Sequence, residues 1–182
     1  MKRALIALLL LTACKETEIT PLAVALTADS TGYFCQMNLL EHPGPKAQIH
    51  TKTFPGHPLF FSQVKDAVAY LHMPEQPDTV TAIYVNDMGA AGATWADPGA
   101  NNWIAADKAV YVVGSMAKGG MDAPEFVPFS DPKLAEDFAK TNGGQVLALT
   151  DIPEAAITLP APAQTDDADI AARLNALTKP GG

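Results

Sequence analysis

Two stretches of this chain run through the same order of elements, and that repeat limits what it can fold into. In the first, "AQIHTKT" (47–53) alternates as a strand does, and "PLFFS" (58–62) follows as a second short strand. "QVKDAVAYLHM" (63–73) then puts Val64, Ala67, Val68 and Leu71 on one helical face, with Ser62 the expected N-cap and Pro74 and Pro77 the stop. "TVTAIYV" (79–85) closes the set as a β-branched strand. In the second, "KAVYVVG" (108–114) and "EFVPFS" (125–130) read as strands, the latter interrupted by Pro128. "DPKLAEDFAKTNGG" (131–144) reads as a helix capped by Asp131, with Pro132 in its first turn and a glycine stop. "QVLALTDI" (145–152) is the last strand. Both helices are preceded by an aromatic-Ser pair, Phe61-Ser62 and Phe129-Ser130. The expected class is α+β, with two similar ββαβ units packed side by side over residues 32–92 and 103–152.

The flanks divide as follows. "GAAGATWADPGANNW" (89–103) is loop by its Gly, Pro and Asn content, with residues 93–102 the linker and Trp95 and Trp103 packing between the halves. Residues 14–31 are polar and mixed and read as a tether. Residues 153–182 form a Pro- and Ala-rich tail, loose at first, with a short helix expected over 166–177.

The chain opens "MKRALIALLLLTACKETE". A basic pair precedes an apolar run far shorter than the roughly 20 residues of a spanning helix, so residues 1–13 read as an export signal. Leu11-Thr12-Ala13-Cys14 resembles the lipobox of bacterial lipoproteins, which implies a lipidated Cys14 as mature N-terminus. Lys15 differs from the Asp of the usual inner-membrane retention signal. The expected location is therefore the periplasm, on a membrane, with the outer membrane preferred. Multiple acyl chains make such an anchor stable, each buried CH₂ contributing roughly 0.8 kcal/mol.

The formal net charge is −8, and loss of Lys2 and Arg3 with the signal makes it more negative. That disfavours nucleic acid, whose binding relies on basic side chains neutralising phosphates. The chain has no Gly-rich phosphate loop, Gly-x-Ser-x-Gly, His-Glu-x-x-His or Cys-x-x-Cys, so no familiar enzyme signature is present. It has two cysteines. If Cys14 carries lipid, Cys35 is left without an intramolecular partner in a compartment where thiols normally pair.

Cys35 sits in "GYFCQMNLLEHPG" (32–44), two residues before Met37. In extended backbone the two would share a face, with Gln36 pointing away. The pair is either a piece of core strand or two soft sulfur ligands, a set that selects Cu(I) over harder ions.

"YFCQMNLLEHPGPKAQIH", "YVNDMG", "NWIAADKAVYVVGS" and "GGMDAPEFVPF" resemble, in order and spacing, the NosL family of lipoproteins that assist maturation of nitrous oxide reductase. The resemblance covers residues 33–152. It implies a fold of two ββαβ units, a topology otherwise known from organomercurial lyase. It also implies a periplasmic carrier of Cu(I) serving the reductase with an ABC-type membrane complex. Cys35 and Met37 match the family's Cys-x-Met metal motif. For a third ligand Met121, held in a loop after Gly119-Gly120, is preferred to Met88 in "NDMG"; Met73 is read as packing and Met116 is left undecided. The family pattern leads one to expect a small residue after this methionine, where this chain has Asp122. His50 is a possible supplementary ligand, while His42 and His57 lie in Pro/Gly turns and are read as solvated. The alternatives to a non-enzymatic copper carrier are a lipid-anchored adaptor without metal and an organomercurial-lyase-like enzyme using Cys35 as nucleophile.

Overall fold

The computed structural model describes residues 20–74 and 78–158, so Cys14, the export signal and the helix expected over 166–177 lie outside the described residues. The fold is mixed α and β, with two antiparallel sheets and few helices.

In chain order the elements are β1 (Ala47–Thr51), β2 (Leu59–Phe61), α1 (Val64–Leu71), β3 (Val80–Val85), β4 (Ile104–Ala105), β5 (Val110–Val113), β6 (Val127–Phe129), α2 (Pro132–Asn142), β7 (Gln145–Ala148) and α3 (Glu154–Ile157). The first sheet has the order β2-β1-β3-β4 and the second β6-β5-β7. In each, the earliest strand is central, the next pairs on one side and the strand after the helix on the other. Ala47 stands opposite Phe61 and Val85, and Tyr111 opposite Pro128 and Leu147. Pro128 has no N–H to give a ladder, and β6 is an edge strand, which is where a sheet tolerates proline. Its carbonyl accepts the Met88 N–H at 2.9 Å, so the chain leaving β3 covers that edge.

The alternation of β1 gives its two faces different tasks. Ala47 and Ile49 are fully buried with Phe61 of β2 and with Val64, Ala67, Val68 and Tyr70 of α1. The same core takes in Tyr111, Val113, Phe126 and Ile157, so both sheets contribute to it. Val110 and Val112, pointing the other way from β5, pack with Val127, Phe129 and Ala135 under α2. Asp131 accepts the Lys133 N–H at 2.8 Å and caps α2, and Pro132 occupies its first turn.

Four expectations change. Residues 20–31 are not a loose tether. Gln48, on the outward face of β1, takes the Val24 N–H at 2.8 Å and gives its own N–H to the Val24 carbonyl at 2.9 Å, as a neighbouring strand would. Tyr84 Oη donates to the Pro21 carbonyl, and Leu26 is buried. Ile104 and Ala105 were expected in the second unit, but pair with Tyr84 and Val85 at the edge of the first sheet. The start of the tail is ordered as well: Ile157 on α3 fills the core beside α1, and apolar burial holds it there. Finally, Ser62 does not cap α1; Gln63 holds the cap position without a side-chain cap bond.

Gly143 and Gly144 end α2, with φ of +74° and +95°. A Cβ at residue 143 meets open space, but φ +74° with ψ −175° is a backbone region essentially confined to glycine, so Gly143→Ala should cost about 1–3 kcal/mol from backbone strain alone. At residue 144 it would lie 2.8 Å from the Val113 carbonyl oxygen and 2.9 Å from the Ser115 nitrogen. Gly144→Ala should therefore lower the urea midpoint clearly further than Gly143→Ala, and equal midpoints would contradict this packing.

Candidate metal centre

Cys35 and Met37 lie in a tight loop rather than a strand. Thr31 and Asn38 bridge its ends, the Gly32 N–H donates to the Met37 carbonyl at 3.0 Å, and the Gln36 N–H donates to the Gly32 carbonyl at 2.8 Å. Gln36 adopts φ +55°, and its amide group fastens back to the Tyr33 carbonyl at 2.8 Å. The same-face rule for extended residues therefore does not apply. A compact loop is what holds the two sulfur residues near each other in the chain. Tyr33 and Phe34 anchor it by packing on Phe61 and Tyr70, with ring centroids 5.3–5.9 Å apart in three of the pairs. Cys35 is a free, half-buried thiol and Met37 is 38% exposed. The thiol lies over Gly32, where any Cβ would collide with its Sγ. That same spot is 3.8 Å from the Ser62 nitrogen at the foot of α1.

Behind the loop lie two buried ionisable groups, Lys46 and Glu125. Lys46 is 2% exposed and its Nζ donates to the carbonyls of His42 at 2.8 Å, Pro43 at 3.2 Å and Gly44. Burial lowers its pKa to about 8, against the pull of the Glu125 carboxylate and the Cys35 thiolate, which favour the ammonium. Glu125 is 1% exposed, and burial raises its pKa to about 8. Two backbone N–H groups hold its Oε1, that of Lys65 at 3.0 Å and that of Phe126 at 2.8 Å. The first belongs to α1, so a carboxyl group from the second half supplies the helix N-terminal bond that Ser62 was expected to give. Its Oε2 has no hydrogen-bond partner among the described residues.

The loop carrying Met121 comes to the same place. Lys118 and Pro124 bridge its ends and Gly120–Asp122 form one 3-10 turn. Gln63 Nε2 donates to the Gly120 carbonyl, His42 lies beside Gly120, and Gly44 lies against Gly119. Trp95 clasps both sides: its carbonyl takes the Gly44 N–H at 2.7 Å and its indole N–H donates to the Lys118 carbonyl at 3.0 Å. The backbone at Met121 is thus fixed, while its side chain lies outside the described atoms. Asp122 takes φ +57°, a left-handed conformation that Asp accepts more readily than most residues.

The other candidates are elsewhere. Met88 packs against the second core with Val112, Val127 and Phe129. His50 points with Gln48 to the face covered by residues 20–26, with Nε2 2.9 Å from Gln48 Oε1 and its ring edge-on to Tyr84. Burial holds this imidazole below its ordinary pKa and so in the neutral form. Met73 and Met116 are exposed, Met116 beside the end of α2. Among the described residues no group of three or more His, Cys, Asp and Glu could hold a metal ion. Met37 is the other sulfur residue in the loop that carries Cys35.

Lys46, Gln63 and Glu125 were not singled out by sequence, and His42, read there as solvated, is half-buried. Of these, only the Glu125 neighbourhood carried a local signal, the Gly119-Gly120 pair, since adjacent glycines mark close approach of backbone to other groups.

The sequence profile of the NosL family matches residues 23–157. The chain is 55% identical over 181 residues, 97% of this chain and 93% of the relative, to a protein of Achromobacter cycloclastes described as copper-binding lipoprotein NosL. A protein of Stutzerimonas stutzeri with the same description is 32% identical over 148 residues, 80% of this chain and 75% of that one. The crystal structure of the copper chaperone NosL from Shewanella denitrificans shares the fold, with a TM-score of 0.67 and 33% sequence identity, over 74% of this chain and 97% of that chain.

The Glu125 shift fixes a pH dependence. A carboxyl whose folded pKa is raised contributes stability that is complete below its unfolded value, 4.5, and is lost as pH rises toward about 8. His50, with its folded pKa lowered, works in the opposite direction around its ordinary value. Comparison with Glu125→Gln separates the two. Urea unfolding from pH 5 to 8 should show wild type losing stability with rising pH relative to Glu125→Gln, and parallel profiles would contradict it.

Proposed function

Because the chain belongs to the NosL family, we propose that it is a metallochaperone that carries Cu(I) as cargo and catalyses nothing. The observation that carries this reading is the free, half-buried Cys35 in a constrained loop with the part-exposed Met37. Relatives described as copper-binding lipoproteins and as a copper chaperone support it.

The ligands in this reading are Cys35, Met37 and Met121. A thiolate with two thioethers suits Cu(I), which prefers soft sulfur and accepts low coordination. Met121 is favoured over Met88 because its loop lies against His42, Gly44 and Gln63, close to the Cys35 segment, whereas Met88 is committed to the second core. His50 is committed to Gln48 and to the opposite face of β1, which argues against a supplementary role. An incomplete shell open to solvent lets an acceptor's ligands enter, so the ion can be bound and then passed on. Binding needs the thiolate of Cys35, so affinity falls at acid pH.

The finer assignments are proposals of the same reading. The acceptor is the copper-site assembly of nitrous oxide reductase, reached with an ABC-type membrane complex. The protein is held in the periplasm by lipid on Cys14, on the outer membrane by preference. Each half is one ββαβ unit of the kind seen in organomercurial lyase, a reading supported by the matching strand orders β2-β1-β3 and β6-β5-β7. A lyase reaction would call for a second thiol beside Cys35, and Cys35 is the free cysteine among the described residues.

An anaerobic Cu(I) titration of the mature protein against a competing chelator tests this. Cys35→Ala should abolish tight uptake with the fold intact by circular dichroism. Met37→Ala and Met121→Ala should each weaken it at least as much as loss of an outer-shell partner does, roughly 10–100-fold. Undiminished affinity in Cys35→Ala would remove the chaperone reading.

A further inference from the structure

Three elements interlock where the two halves meet at the foot of α1. Gln63, the residue before the helix, is 5% exposed and uses its side-chain amide not on the helix but on the Gly120 carbonyl across the boundary. Glu125 crosses the other way, binding the Lys65 N–H of α1 through Oε1. Gly119 lies between them: a Cβ there would lie 2.5 Å from Glu125 Oε2 and 2.8 Å from Gln63 Nε2. Its φ of −77° is open to any residue, so glycine is required at 119 by space and not by backbone conformation.

We propose that Gln63, Gly119 and Glu125 are positioning residues of the copper site, which fix the Met121 loop against the half that carries Cys35. The inference rests on the reading of Met121 as a ligand. A ligand set divided between two halves holds an ion tightly only if the halves keep their spacing, because misplacement of a thioether removes one metal–sulfur bond. The interlock supplies that spacing through one hydrogen bond donated by Gln63 to the loop, one donated by α1 to Glu125, and a close approach of both side chains to Gly119. Ser62, whose backbone nitrogen is near the Cys35 seat, directly precedes Gln63. The thiol and the loop are therefore referred to the same turn of chain.

A double-mutant cycle on the purified mature protein tests this, with Cu(I) alone as the probe and competition against a chelator as the readout. Gln63→Leu, which keeps bulk but loses the amide, should weaken Cu(I) binding about tenfold, in the range for groups that orient metal ligands. In a Met121→Ala background the same change should have no further effect, since the ligand it positions is gone. Loss of general stability would weaken both backgrounds alike, and that additive result would overturn the proposal, as would wild-type affinity in Gln63→Leu. If Gln63→Leu does not fold, Gly119→Ala is read by the same cycle, with the same two overturning results. Wild type that binds Cu(I) with Met121→Ala unaffected would overturn this inference and leave the carrier reading standing; wild type that binds none would overturn both.

Discussion

The contact on which the arrangement depends is the carboxyl group of Glu125, which leaves the second sheet's side and binds the first turn of α1. Removing a carboxyl from water is expensive, and here burial pushes its pKa to about 8. The fold offsets that cost with two backbone N–H groups and the nearby Lys46 ammonium. The helix in turn needs an acceptor for its free N–H groups, and Gln63 provides none from its own side chain. A polar requirement in each half is thus answered by the other. The shared apolar core of Val64, Tyr70, Tyr111 and Phe126 adds the larger, undirected attraction, while the carboxyl group sets where the halves sit.

Chemistry follows from that placement. Met37 and the flanking Tyr33, Phe34 and Leu40 are all at least 38% exposed, so the sulfur loop is surrounded by apolar side chains in contact with water. Such a rim suits a site that must be approached by another protein, and single exposed apolar residues would not form one. The buried Lys46 ammonium and a Cys35 thiolate attract each other electrostatically. A site of this kind differs from a closed structural metal centre, where four ligands saturate the ion.

Elements with local signals were legible in the sequence. The α1 stripe of Val64, Ala67, Val68 and Leu71 and the Asp131-Pro132 start and Gly143-Gly144 end of α2 depend on neighbours within a few residues. Features that depend on distant partners were not. Residues 20–31 are polar and read as a tether, yet Gln48 captures Val24 through its amide, a pairing no local pattern announces. Cys35-x-Met37 follows two aromatic residues and reads as extended, but Gln36 turns left-handed because its amide and N–H are both tied to residues 32 and 33. Lys46 and Glu125 are unremarkable in sequence, and their electrostatic influence on each other exists only once both halves have formed. The Cys-x-Met pattern named the candidate ligands; the loop that carries them is set by tertiary structure.

The central claim is that copper is held by sulfur from both halves of the fold. Copper K-edge X-ray absorption on the Cu(I)-loaded protein measures this most directly, since it reports the number and kind of scattering atoms around the metal. The account predicts a shell of three sulfur atoms without the outer-shell pattern of imidazole. A two-coordinate site, or a clear histidine signature, would contradict it.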